Sequence, residues 1–167
     1  MLSKARIAGH PIHPMLVALP IGMFVATVAT LLAFMNSGDP FYYRAAMVAN
    51  VGGVVAALVA AVPGTIDLFS LPPGSSARAT GIKHASSALL AVGLFAVSAA
   101  LLWRGWNGLA NGEVLAAAVP LAVSLAGMLV LVIVGALGWT LVQTHHVGVR
   151  PDLVRGHATI HRPSFHH

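Results

Sequence analysis

Four long apolar runs decide what this chain can become: Met15–Met35, Ala45–Pro63, Ala85–Trp103 and Val114–Val142. A helix needs about 20 predominantly apolar residues to cross the hydrocarbon core of a bilayer. All four runs approach or exceed that length, and only Asn50 interrupts the second. A soluble domain of 167 residues has no core that could absorb four such segments. The composition agrees, with 57% hydrophobic residues, 8% charged residues and a mean hydropathy of +0.86. Lipid offers no partner to an unpaired backbone N–H or C=O, so the spans are helical.

The expected fold is therefore all-α, an integral membrane four-helix bundle. Its spans lie at about 15–35, 45–66, 84–103 and 117–142, within a domain of residues 1–146 followed by a basic cytoplasmic tail over 147–167. The first run is longer than the apolar region of a cleavable signal, and Asn36-Ser37-Gly38-Asp39 lacks the small-x-small pattern of a cleavage site. No cysteine is present, which excludes disulfides and thiolate-held metals or clusters within the chain.

Charge placement orients the bundle. With the N-terminus inside, one side carries Lys4, Arg6, Arg78, Lys83, Arg150, Arg155 and Arg162, and the other only Arg44 and Arg104. This positive-inside bias puts both termini and the second loop of a multi-pass membrane protein in the cytoplasm. The sequence pI near 10.9 then calls for anionic lipid headgroups, not nucleic acid.

Several features shape the helices. Pro11 and Pro14 suit a first helical turn and hold the histidines before them toward extended geometry. Pro20 and Gly22 are expected to bend the first helix, and Pro63-Gly64 to loosen the cytoplasmic end of the second. That second helix carries two small-residue ridges, Gly52-Ala56-Ala60-Gly64 and Gly53-Ala57-Ala61, which allow close backbone approach in lipid. Trp103 and Trp106 mark the far interface. The spacing of His13, Leu19, Gly22 and Phe24 recurs in His84, Leu90, Gly93 and Phe95. This suggests a parallel duplication of a two-helix hairpin, which would set His13 and His84 facing each other across the bundle axis.

The nine histidines all fall on one side of the membrane in this topology. Five sit at helix ends: His10, His13, His84, His145 and His146. Imidazole ligates transition metals and haem iron and titrates near neutral pH. Helices packed about 8–10 Å apart give a bundle diagonal of roughly 13 Å, which suits two axial imidazoles on one iron. The first reading is a b-type haem in electron transfer, held by His13 and His84, with His10, His145 and His146 in reserve. The second is a zinc, copper or iron site for binding or transport, drawn from His10, His13, Asp67, His84, His145 and His146. A proton relay through the same groups is a third. A fourth makes the chain a small accessory subunit of a larger membrane complex, with structural histidines and Asp67 as a cap or a partner of Arg78 or Lys83. His157, His161, His166 and His167 belong to the tail and are not assigned to the site. No phosphate loop, HExxH or serine elbow is found, so a binding or electron-transfer role ranks ahead of stand-alone catalysis, which stays open.

The segment Gly9-His10-Pro11-Ile12-His13-Pro14-Met15-Leu16-Val17, with Pro63-Gly64-Thr65-Ile66-Asp67 and Arg78-Ala79-Thr80-Gly81-Ile82-Lys83-His84, resembles a widespread bacterial four-helix inner-membrane family. That family is a domain of unknown function with an N-terminal Gly-His-Pro-x-His-Pro signature, and the likeness spans most of residues 9–146. Some members are joined to a Rieske-type iron–sulphur domain, which implies electron transfer. This chain has neither the cysteines nor the room for such a domain, so the resemblance implies a separate membrane redox partner.

Overall fold

The structure, a computed structural model, describes residues 4–8, 10–110 and 116–148. Two short strands, β1 (Arg6–Ile7) and β2 (His10–Pro11), pair antiparallel and lead into α1 (Ile12–Leu16). Then follow α2 (Ala18–Ser37), α3 (Pro40–Ser70), α4 (Ser76–Ala110) and α5 (Ala118–Gln143). Helices α1 and α2 together make one span, Ile12–Ser37, and the others are Pro40–Ser70, Ser76–Trp106 and Ala118–Gln143. All four are long and apolar enough to cross a bilayer, so the chain is an all-α membrane bundle whose outer surface lies in lipid. Leu129, Val132 and Trp139 of α5, for instance, are exposed.

Local chemistry sets the helix limits. Gly38, in the left-handed region at φ 68, ends α2 by donating its N–H to Phe34 O. Asp39 then caps α3 by accepting from Phe41 N, with Pro40 in the first helical position. Ser75 Oγ accepts from Arg78 N before α4. This cap starts α4 about two turns ahead of His84, so His84 lies inside the helix and not at its beginning. The first helix breaks at Val17, ahead of Pro20, whose missing N–H leaves Leu16 O without its helical donor. Helix α3 instead runs through Pro63 without interruption to Ser70.

The hairpins α2/α3 and α4/α5 pack most extensively, and their contacts follow one pattern. The shift in residue number that carries His13 to His84 also carries Phe24 to Phe95, Thr27 to Ser98 and Leu31 to Leu102. Those residues occupy matching environments. Phe24 and Phe95 stack on each other with ring centroids 3.8 Å apart, and Thr27, Ser98, Leu31 and Leu102 are all fully buried. A second constant shift carries Asn50 to Ser124, Gly53 to Gly127, Ala60 to Val134 and Gly64 to Gly138. Phe24 lies against Gly53 as Phe95 lies against Gly127. The two hairpins are thus related by a pseudo-twofold axis along the bundle.

Side chains are layered along that axis. His13 and His84 stand at one end, followed by the Phe24/Phe95 stack and then a polar layer of Thr27, Asn50, Ser98 and Ser124. The far end is closed by Leu31, Phe34, Tyr43, Ala46, Met47, Leu102 and Ala117. There Tyr43 meets Phe34 edge-on and donates its hydroxyl to Leu102 O at 2.9 Å, tying α3 to α4.

Candidate functional site

The paired histidines are held in the same way. A carbonyl oxygen only accepts hydrogen bonds, so each imidazole that contacts one through Nδ1 must carry its proton there. His13 Nδ1–H donates to Ala60 O of α3 at 2.8 Å, and His84 Nδ1–H donates to Val134 O of α5 at 3.0 Å. In each case the glycine one turn further along, Gly64 or Gly138, makes room for the ring. A Cβ on Gly64 would stand 2.8 Å from His13 Cε1 and 2.9 Å from its Nδ1, and one on Gly138 would stand 3.3 Å from His84 Cε1. The Nδ1 edge of each ring therefore lies on its partner helix.

Across the axis the two rings face each other with centroids 6.3 Å apart and planes at 88°. Both are half-buried. In the neutral form, a proton on Nδ1 leaves the lone pair on Nε2. Fixing the tautomer through a backbone carbonyl is the usual way a ligating imidazole is oriented.

The other candidates make contacts of their own. His10 Nδ1 is 3.1 Å from Ala8 O in the turn of the β-hairpin. His145 Nε2 is 3.3 Å from Thr80 Oγ1, which links the end of α5 to α4. His146 follows in the left-handed region at φ 51, within a C-terminal turn where Val147 N donates to Leu141 O. Asp67 Oδ1 accepts from Lys4 N at 2.9 Å and Ala5 N at 3.1 Å, so this carboxylate fastens the N-terminal segment to α3. Among the described residues, no three His, Asp or Glu side chains gather as a group able to hold a metal ion. The tail histidines His157, His161, His166 and His167, and nearly all of the segment 147–167, lie outside the described residues.

Sequence reasoning singled out the two imidazoles but missed what holds them. The signal was the recurrence of the Gly53–Gly64 spacing in Gly127–Gly138. Of the repeated positions it did identify, Gly22, Gly93, Leu19 and Leu90 face outward: the glycines meet no side chain, and both leucines are 57% exposed.

No curated protein and no solved structure matches the chain. A family model described as "Predicted membrane protein (DUF2231)" matches residues 9–151. The match covers most of the chain, and the protein belongs to this family.

Proposed function

We propose that this DUF2231 membrane protein binds a b-type haem between His13 and His84 and serves in electron transfer. The reading rests on one observation: two imidazoles on a pseudo-twofold axis, each locked through Nδ1, with ring centres 6.3 Å apart. With Nδ1 committed to a carbonyl in each case, His13 and His84 would each offer Nε2 to the haem iron. A bare transition-metal ion commonly takes three or four protein ligands. A haem would need only two imidazoles from the protein, the number that His13 and His84 provide. Bound there, it would supply a one-electron couple.

The residues of the chain do the rest. Ala60 and Val134 hold the ring tautomers, Gly64 and Gly138 leave space for the rings, and the Phe24/Phe95 stack closes the bundle beneath the pair. In this reading the histidine end faces the cytoplasm of a bacterial cell, as the distribution of Lys and Arg favours. The electron donor or acceptor is a separate membrane protein.

An absorption spectrum of the protein purified in mild detergent tests this. A Soret band with sharp α and β bands on reduction is expected, abolished in both His13→Ala and His84→Ala. A colourless preparation sinks the haem reading. Metal analysis of that preparation then decides for a transition-metal site if stoichiometric zinc, copper or iron is found, and co-purifying subunits decide for an accessory role.

A further inference from the structure

The polar layer in the middle of the bundle offers a second site, independent of the histidines. Thr27, Asn50, Ser98 and Ser124 are each 0% exposed, one from each span, and together they form a buried polar layer. The second hairpin satisfies its own pair. Ser98 Oγ donates to Pro120 O at 3.1 Å, and with that proton committed it accepts from Ser124 Oγ at 2.8 Å. In the first hairpin Thr27 Oγ1 donates back to Met23 O at 2.9 Å. Asn50 is different: neither Oδ1 nor Nδ2 has a hydrogen-bond partner among the described residues.

The register places this carboxamide. Phe24 lies on Gly53, and three residues onward along α2 and three residues back along antiparallel α3 lead to Thr27 and Asn50. The same steps from Phe95 and Gly127 lead to the bonded pair Ser98 and Ser124. Asn50 therefore looks across at the Thr27 position within a fully enclosed layer. A buried amide with no partner is costly, most of all at bilayer depth, where bulk water cannot reach it.

Its ligand must serve both ends of the amide. A cation would engage Oδ1 and leave the two Nδ2 protons unmet. A water molecule can both donate to Oδ1 and accept from Nδ2, and its second proton suits the Thr27 hydroxyl oxygen, which still has lone pairs to offer. We propose that Asn50 holds an internal water molecule in the middle of the bundle, so that the first hairpin is bridged by solvent where the second is joined by a direct serine–serine bond. Buried waters commonly make about three hydrogen bonds to such groups.

The test uses the full chain in detergent, labelled with 15N only at asparagine. Asn36→Ser, Asn107→Ser and Asn111→Ser leave Asn50 as the single labelled amide. A cross-peak is expected from its NH2 pair to the water frequency, with the sign of a long-lived bound water. It should persist in Ser124→Ala, which removes a nearby hydroxyl proton without touching the partners proposed for the water. In the unsubstituted protein the same pair is identified as the signals lost in Asn50→Leu, so the reading does not depend on the triple variant. A resolved NH2 pair with no water cross-peak overturns the proposal. So does a rise in melting temperature with sodium chloride over choline chloride that disappears in Asn50→Leu, because the ligand would then be a cation.

Discussion

Gly64 and Gly138 look equivalent in the sequence, yet the space each provides differs. A methyl group on Gly64 would press within 2.9 Å of two atoms of the His13 ring, whereas one on Gly138 would meet His84 no closer than 3.3 Å. Gly64→Ala should therefore lower stability by about 1–3 kcal/mol, the usual range for an overpacked contact, and displace His13. Gly138→Ala should cost clearly less. Unfolding in detergent measures both, and equal losses would show that the rings are not seated as described. Asp67 accepts from two backbone amides of the N-terminal segment. Asp67→Ala should speed hydrogen exchange at the Lys4 and Ala5 amides, whose N–H groups it accepts, and unchanged exchange would remove it from that role.

Among elements, the two hairpins are fastened by different means. Helices α4 and α5 share the Ser98–Ser124 bond, and a double-mutant cycle with Ser98→Ala and Ser124→Ala should give a coupling of about 0.6 kcal/mol, typical of interhelical bonds in lipid. A coupling of zero would mean that the pair is not bonded. Helix limits were legible only in part. The apolar runs predict four spans, but the caps at Asp39 and Ser75 lengthen α3 and α4 beyond them. A span in lipid does not have to end where its apolar stretch ends, because backbone bonding continues until a cap or a Gly38-like reversal stops it. Pro63 shows the converse, since the helix tolerates it where neighbouring helices hold the segment in place.

For the molecule as a whole, the Phe24/Phe95 stack is one of the places where the two halves meet on the axis. Phe24→Ala and Phe95→Ala should each destabilise by about 3–5 kcal/mol. The double variant should lose less than the sum, because each ring is half of one contact. Strict additivity would argue against the stack. The proposed orientation is checked by reporter fusions: a cytoplasmic reporter fused after residue 148 should be active, and a periplasmic one inactive.

The chain alone dictates the membrane class and the four spans, because apolar length is a property that no packing can undo. It also carried half of the duplication, since His13/His84 and Phe24/Phe95 keep a constant spacing in spans one and three. Which faces of those helices turn inward was decided only by tertiary structure. Rotation of a helix in lipid is set by contacts with its neighbours, and the near-uniform apolarity of these spans gives no face a preference. That is why outward-facing Leu19 and Gly22 looked as informative as His13. It is also why the carbonyls of Ala60 and Val134, the glycine seats and the enclosed carboxamide of Asn50 became visible only once four helices were in place.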